Sequence, residues 1–447
     1  MNKHTNDDSK GEAMLSKFIE YIKKNKYLIL IAAGVILRLI WVFAMPTYPE
    51  TDFMWYHVKG VELSQGKGFL YGFYPYYTGI PGMPTAFRPI GYPGTLAVLY
   101  FIFGSSFFGI EFMVAKLFNI VLSTLIMFLT YKLANQFFGK KIAFITLLIY
   151  ALSPLAITYN SIICSELLFS AILMLSIYLY FNKNNPFVIG LLIGYLTLIR
   201  PIGVFIPAIF VLYEFIKKDV NLKKKIKYIV SFAVSVALVI TPWIVRNYLA
   251  FGEFVFSTNG GYVFYVNNND YAIGSWSDPF KYPDSPMLKY KTDEGGFDEM
   301  AVNKYGKELA KQWIKDNPKR FIELAFLRIA NSYWYKTDDI MWSLTTDINE
   351  WHPITSKAKK LEKLLYRPFY IVLFIFILYA LIRFIRKRKI DFTTFILLIF
   401  LYFNAMMFVL EGNSRYVFPL HPIYSIGVAF IMFSILKFLF PKKFSET

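Results

Sequence analysis

Seven ionisable residues stand where long apolar runs end: Asp52, Arg88, Glu166, Arg200, Arg246, Glu411 and Arg415. They come from six separate segments of the chain. Ionisable groups at membrane depth are costly and by default mark function. Helices packed in a bundle can bring such segments round one cavity. Each residue alone also has a plain structural reading, as a snorkelling or paired side chain. The set is harder to dismiss, because apolar runs flank most members on the same side.

Asp52 lies in Glu50-Thr-Asp52-Phe-Met-Trp-Tyr56-His57. If 52–65 is helical, Thr51 caps it, Tyr56 shares the face of Asp52, and Trp55 flanks it. A carboxylate among aromatics suits a general base that takes a hydroxyl proton. A helix-start Asp favoured by the dipole fits the same spacing. Glu166, in Ser161-Ile-Ile-Cys-Ser-Glu166, can orient a basic residue, bind hydroxyls, or hold a hard cation together with Asp52. Its bland reading is a helix-start Glu after Ser165. The arginines suit phosphate, whose oxygens they match in pairs while staying charged in a low dielectric. Arg88-Pro89 and Arg200-Pro201 set a cation beside fixed backbone. Arg246 ends Thr241-Pro-Trp-Ile-Val-Arg-Asn247, and Arg415 stands in Glu411-Gly-Asn-Ser-Arg415-Tyr416. A lipid phosphate is the natural partner; ordinary anionic headgroups are the simpler one. The segment 69–87 is loaded with Tyr, Gly and Pro, which suits a sugar platform or an interfacial aromatic belt.

Lipid must solvate the elements that position these residues. Of the 447 residues, 56% are hydrophobic and only 17% charged, against about 25% charged in soluble domains. Mean hydropathy is +0.43. The net charge of +18 sits in short clusters beside apolar runs, so it orients the chain in a membrane rather than binding nucleic acid. The single cysteine, Cys164, forms no internal disulfide, and four scattered His form no zinc cluster. No cleavable signal peptide is expected, because the run from Tyr27 lacks a small-residue cleavage site.

Spans of about 20 residues are expected over 27–46, 111–135, 141–158, 164–182, 186–199, 201–216, 226–249, 366–385, 392–410 and 418–440. The stretch 90–108 is ambiguous. The fold class is an all-α polytopic membrane bundle of about 10–11 transmembrane helices. It carries a long first outer loop, 47–89, and a small mixed α/β extracytoplasmic domain, 251–363. Residues 1–26 form a cytoplasmic tail, 27–250 the transmembrane core, and 364–447 the C-terminal helices. Within the outer domain, 254–266 is expected to form a hairpin about Thr258-Asn-Gly-Gly. Helices are expected over 299–315 and 319–333.

Positive charge sets the orientation. Lys17, Lys23, Lys24 and Lys26, Lys140–Lys141, the run Lys217–Lys227, Arg383–Lys389 and Lys442–Lys443 should all face the cytoplasm. They do so only if 90–108 dips in and returns, and if 186–216 is two short helices meeting at Arg200–Pro201. The seven polar residues then gather at the outer face.

The chain resembles the C-type (GT-C) membrane glycosyltransferases, in the bacterial branch similar to protein O-mannosyltransferases and the lipid A aminoarabinose transferase. Four pieces in order carry the resemblance. They are the first loop with Asp52 and Tyr56, then Phe87-Arg-Pro-Ile-Gly-Tyr-Pro93, then Thr241–Asn247 followed by Phe251-Gly-Glu-Phe and Ser257-Thr-Asn-Gly-Gly261, and last Arg415-Tyr-Val-Phe-Pro419. It runs from about Lys26 to Lys443. It implies a polyprenyl-phosphate sugar as donor, such as an undecaprenyl-phosphate sugar. It also implies a reaction at the outer face of the plasma membrane, and Asp52 as catalytic base with Glu166 as the second acidic residue. Arg88, Arg200, Arg246 and Arg415 become the expected phosphate ligands. Tyr56, His57, Tyr92, Asn247 and Tyr416 become the expected substrate contacts. The Asp-Glu pair of the mannosyltransferases is missing, since Phe53 follows Asp52 and Glu50 precedes it. The acceptor therefore stays open among lipid, glycan and protein. Some relatives need a divalent metal and others none, and no metal cage is evident here. A lipid-sugar flippase and a noncatalytic envelope-assembly scaffold are the rival classes.

Overall fold

The computed structural model describes residues 25–70, 82–106, 109–183, 185–217, 220–291, 297–337 and 339–441. The tail up to Lys24, most of the aromatic segment 69–87 and the Lys442–Lys443 pair lie outside the described residues. The apolar runs become helices. In chain order they are α1 (Asn25–Ala44), α2 (Asp52–Ser64), α3 (Gly91–Phe103), α4 (Met113–Phe138), α5 (Lys140–Ala151), α6 (Pro154–Thr158), α7 (Ser165–Asn182), α8 (Pro186–Ile199), α9 (Ile206–Ile216), α10 (Leu222–Phe251), α11 (Gly260–Val266), α12 (Glu299–Asp316), α13 (Pro318–Ala330), α14 (Thr355–Lys387), α15 (Phe392–Val409) and α16 (His421–Leu439). Seven described helices are long and apolar enough to cross a membrane, and an eighth if the bent pair α5 and α6 is one span. Three shorter apolar helices complete the bundle: Gly91–Phe103, Pro186–Ile199 and Pro201–Ile216.

The two short helices expected over 186–216 are present and meet at Arg200–Pro201. Helix α8 stops at Arg200, and a short 3-10 turn, Pro201–Gly203, begins the next segment. Pro201 both ends α8 and opens its successor. The 13 residues of α3 reach only about 20 Å, short of the roughly 30 Å apolar slab. The start of α4 returns to the end of the bundle where α3 begins. There Lys116 Nζ donates to Thr47 O at 2.9 Å and Asn119 Nδ2 to Ile162 O at 2.7 Å. The start of α3 and the start of α4 thus sit at the same end of the bundle.

Glycine sets two close approaches. A Cβ at Gly91 would lie 2.5 Å from the carbonyl carbon and oxygen of Leu198, so the start of α3 can sit against the end of α8 only as glycine. Helix α8 carries Gly190 and Gly194 four residues apart against α10. A Cβ at Gly190 would lie 2.5 Å from Phe232 O. That is the small-residue spacing that lets membrane helices meet backbone to backbone. Gly91→Ala is expected to lower stability by about 1–3 kcal/mol through overpacking and to move the adjoining arginines. A thermal denaturation curve in detergent, run beside wild type, checks the first effect.

The break between α5 and α6 bends the chain by 57°. Ser153 caps α6 and Pro154 follows at its first position. The carbonyls freed at the end of α5 are met by Arg38 of α1. Arg38 donates to Ala151 O at 3.0 Å, Tyr150 O at 3.4 Å and Ser123 Oγ at 2.6 Å. Arg38 is completely buried, yet it fills a helix end and reaches no cavity.

Between α10 and α14 lies a polar unit with its own small core of Tyr262, Tyr265, Val266, Met287, Phe297, Val302 and Ala310. Phe87 of the first loop is part of that core. Helices α12 and α13 match the two helices expected here. The expected hairpin over 254–266 does not form: Gly260–Val266 is helical. Tyr262, Tyr265 and Val266 fall three and four apart, so a helix buries all three on one face. Gly261 N–H also donates to Asn303 Oδ1 of α12 at 2.8 Å. Alternating aromatics read locally as a strand, and tertiary burial overrides that preference. The sheet that does form pairs β1 (Thr345–Asp347) with β2 (Glu350–Trp351), antiparallel. Helix α14 begins at Thr355, well before the span expected over 366–385.

Candidate active site

At one end of the bundle the loops enclose a cavity of about 340 Å³. Asp52, Tyr56, Arg88, Arg200, Glu411, Arg415 and Tyr416 line it, from α2, the loop before α3, the α8 terminus and the link between α15 and α16. The wall facing α15 is apolar, with Met406, Met407 and Leu410. The polar unit supplies Ser257, Asn259, Val263, Trp276 and Trp342.

Local structure aims each charged group. Asp52 occupies the first turn of α2, where the helix dipole favours a carboxylate. Thr51 precedes it with φ 48° and makes no side-chain cap bond, so the expected Thr51 cap is absent. A β-branched residue in that region is strained, and the strain sits next to the candidate base. Glu166 is the second residue of α7 and fully buried. Arg88 is brought beside the α8 terminus by the Gly91 contact. Arg415 sits on a 3-10 turn, Ser414–Tyr416, capped by Asn413 Oδ1 accepting from Arg415 N–H at 3.0 Å.

The charges interlock. Arg88 Nη2 lies 2.7 Å from Asp52 Oδ1, and Arg415 Nη1 lies 3.5 Å from Asp52 Oδ2. Arg415 also donates through Nε and Nη2 to Glu166 Oε1 at 3.0 and 2.9 Å. Arg200 Nη1 meets the same oxygen at 2.6 Å and Ser165 Oγ at 3.0 Å. Arg415 thus bridges the two carboxylates. Aromatic rings back the guanidiniums: Phe53 under Arg415 at 4.6 Å, Tyr416 near Arg200 at 5.5 Å and Tyr56 near Arg88 at 5.5 Å. Glu411 is buried at the rim, and burial raises its carboxyl above the usual range. Its Oε2 accepts from Tyr416 Oη at 3.1 Å.

Three guanidiniums face two ion-paired carboxylates, Asp52 and Glu166, and a third carboxyl, Glu411, lines the same cavity. Guanidiniums face both oxygens of Asp52 and Oε1 of Glu166. Among the described residues no group of three or more His, Cys, Asp or Glu is arranged to hold a metal ion.

Not every expected residue reaches the cavity. Arg246 donates to Thr85 O and Phe69 O, each at 2.7 Å, and so holds the first loop rather than facing the cavity. Asn247 is buried and bonds Val255 O at 2.9 Å. His57 pairs with Tyr100 Oη at 3.0 Å, and burial lowers it to about 4, so its imidazole is neutral at physiological pH. Tyr92 packs edge-on against Tyr56 at 4.9 Å, behind the lining. Several lining residues escaped sequence reasoning. Asn259 and Asn413 stood inside quoted motifs, which was a usable signal. Trp276 and Trp342 stood in no pattern. Trp342 is held from outside the cavity: buried Glu362 of α14 accepts from the N–H groups of Asp339 and Ile340 at 3.1 and 3.0 Å.

Residues 88–245 match the sequence model of the dolichyl-phosphate-mannose-protein mannosyltransferase family. No curated protein sequence matches the chain. Among solved structures, the Archaeoglobus fulgidus oligosaccharyltransferase tethered to an acceptor peptide with the NVT sequon is similar, at TM-score 0.56 and 15% identity, over 95% of this chain and 51% of that one. The Archaeoglobus fulgidus oligosaccharyltransferase AglB with an inhibitory peptide and a dolichol-phosphate gives 0.52 and 13%, over 95% and 52%. ArnT from Cupriavidus metallidurans bound to undecaprenyl phosphate gives 0.44 and 11%, over 89% and 77%. The chain spans about half the length of the oligosaccharyltransferases it matches. The family match spans 88–245, about a third of the chain, and the likeness to the oligosaccharyltransferases is one of fold.

Proposed function

We propose that the protein moves a sugar from a polyprenyl-phosphate carrier to a hydroxyl acceptor of the cell envelope, at the outer face of the plasma membrane. The observation that carries this is the cavity where Asp52 lies between Arg88 and Arg415, with Arg200 in the same lining. The matched family is named for a dolichyl-phosphate sugar, and AglB was solved with dolichol-phosphate. The clustered guanidiniums suit the phosphate oxygens of a sugar phosphodiester. The apolar wall of Met406, Met407 and Leu410 suits the first carrier isoprenes, and Trp276 and Trp342 suit a sugar face.

The acceptor oxygen attacks the anomeric carbon as the bond from that carbon to the phosphate oxygen breaks. The bond's electron pair stays on the carrier phosphate, and the acceptor proton passes to Asp52. The arginines stabilise the charge gathering on the leaving phosphate. Phosphate leaves readily, so no general acid is needed. In the structure Asp52 faces two guanidiniums. A donor phosphate competes for those guanidiniums, which leaves the Asp52 oxygens open to the acceptor hydroxyl as they turn to it. Attack from the face opposite the phosphate inverts the anomeric centre.

Orientation rests on charge. Lys140–Lys141, Lys217, Lys223–Lys225 and Arg383–Lys389 lie at the helix ends remote from the cavity. By the positive-inside rule those ends are cytoplasmic. A reporter fused after Lys223 is expected to read cytoplasmic; an outside signal would put the cavity on the wrong face.

The test of function is mass spectrometry of envelope lipids and glycans after deletion. One sugar should vanish, return with wild type, and stay absent with Asp52→Asn. Its return with that variant would favour a transport or scaffold role.

A further inference from the structure

The loop from Thr85 to Arg88 carries one of the cavity's three guanidiniums, yet what fixes it lies outside the cavity. We infer that Glu299 of the polar unit is a positioning residue that sets Arg88 against Asp52. The inference rests on the anion-binding role proposed for that pair.

Glu299 opens α12, is 7% exposed, and contributes nothing to the cavity lining. Its Oε1 accepts from Ala86 N–H at 2.9 Å and its Oε2 from Thr85 Oγ1 at 2.9 Å. Thr85 Oγ1 in turn accepts from Phe87 N–H at 3.1 Å. The carboxylate thereby controls the backbone up to the residue before Arg88. Neighbours occupy the remaining groups of the strap. Thr258 N–H donates to Ala86 O at 3.0 Å, Ser257 Oγ to Phe87 O at 2.9 Å, and Arg246 Nη1 to Thr85 O at 2.7 Å. The Phe87 ring is locked in the core of the polar unit. Pro89 then restricts the backbone of Arg88 itself. With 85–87 fixed, the Arg88 side chain extends from an anchored backbone, and it ends on Asp52.

The chemistry calls for a carboxylate. Two donors on adjacent residues need two diverging acceptors on one side chain, which an ionised carboxylate supplies. Such charge-assisted bonds are about twice as strong as neutral ones. Burial pushes the Glu299 carboxyl up to about 7, against the pull of the Ala86, Thr85 and Thr258 bonds and of Arg246. A side chain this poorly solvated is held for its two bonds and not for solubility. The device recurs at Glu362, whose paired backbone bonds precede Trp342 on the facing wall.

The test uses full-length protein in lipid nanodiscs, with undecaprenyl phosphate as probe. In Glu299→Ala, amide exchange of residues 85–88 should rise about tenfold, while Glu299→Gln, which keeps one acceptor for Ala86 N–H and loses the other, should fall between that variant and wild type. The Kd for undecaprenyl phosphate should rise about tenfold in Glu299→Ala, as expected from a lost charge-assisted bond. In an Arg88→Ala background the same change should shift Kd less than about twofold, because its effect runs through Arg88. If Glu299→Ala fails to fold, Thr85→Val removes one arm of the clamp and should raise exchange in the same segment. Unchanged exchange, or a Kd penalty that persists without Arg88, overturns the inference. Failure of wild type to bind the probe would instead sink the donor assignment, and the exchange measurement would still decide the clamp.

Discussion

Asp52→Asn is expected to cut turnover by about 10²–10⁴-fold, the usual range for losing a general base, while leaving the donor phosphate bound at least as tightly as in wild type. Asparagine keeps the shape of the side chain and an oxygen for Arg88 Nη2, now 2.7 Å from Asp52 Oδ1. It removes a negative charge that competes with the donor for Arg88 and Arg415. Phosphate affinity should therefore hold or improve as kcat falls, the signature of an interaction made in the transition state. Stability should change little, since the side chain is partly exposed, at 17%. Retained turnover would remove Asp52 as base. Weakened phosphate binding with normal kcat would make it a binding residue.

Glu166→Ala is expected to act on stability first. Glu166 is 0% exposed, and its Oε1 holds both Arg200 and Arg415. Truncation leaves two guanidiniums facing each other without their shared counterion. Breaking a buried ion pair from one side costs about 3–5 kcal/mol. The variant should melt well below wild type in detergent, and added undecaprenyl phosphate should recover part of the loss by supplying a replacement anion. Glu166→Gln, which keeps the shape, should fall between. A Glu166→Ala protein with wild-type melting would show that the arginines do not depend on this carboxylate.

The membrane helices were legible because apolar runs have few other uses. The two short helices about Arg200–Pro201 followed from requiring all basic clusters on one side. The site was legible as a set of charges at helix ends, but not their division of labour. Arg200 and Arg246 looked alike in sequence, each ending an apolar run. Only tertiary structure sends Arg200 to Glu166 and Arg246 to the carbonyls of the first loop. Arg38, alone within a run, gave no hint that a bend at Pro154 would need its donors. The hairpin expectation failed because alternation over five residues cannot see that α12 waits to cover a helical face. Trp342 and Glu299 lie far in sequence from what they shape, and no local pattern marks them.

The central claim, sugar transfer in this cavity, is tested most directly by following the anomeric carbon. Purified protein in nanodiscs is given undecaprenyl-phosphate-linked sugars and envelope acceptors, and the product linkage is read by NMR. The account predicts release of undecaprenyl phosphate, a glycoside inverted relative to the donor, and neither with Asp52→Asn. A retained configuration, or turnover that survives that substitution, would contradict it.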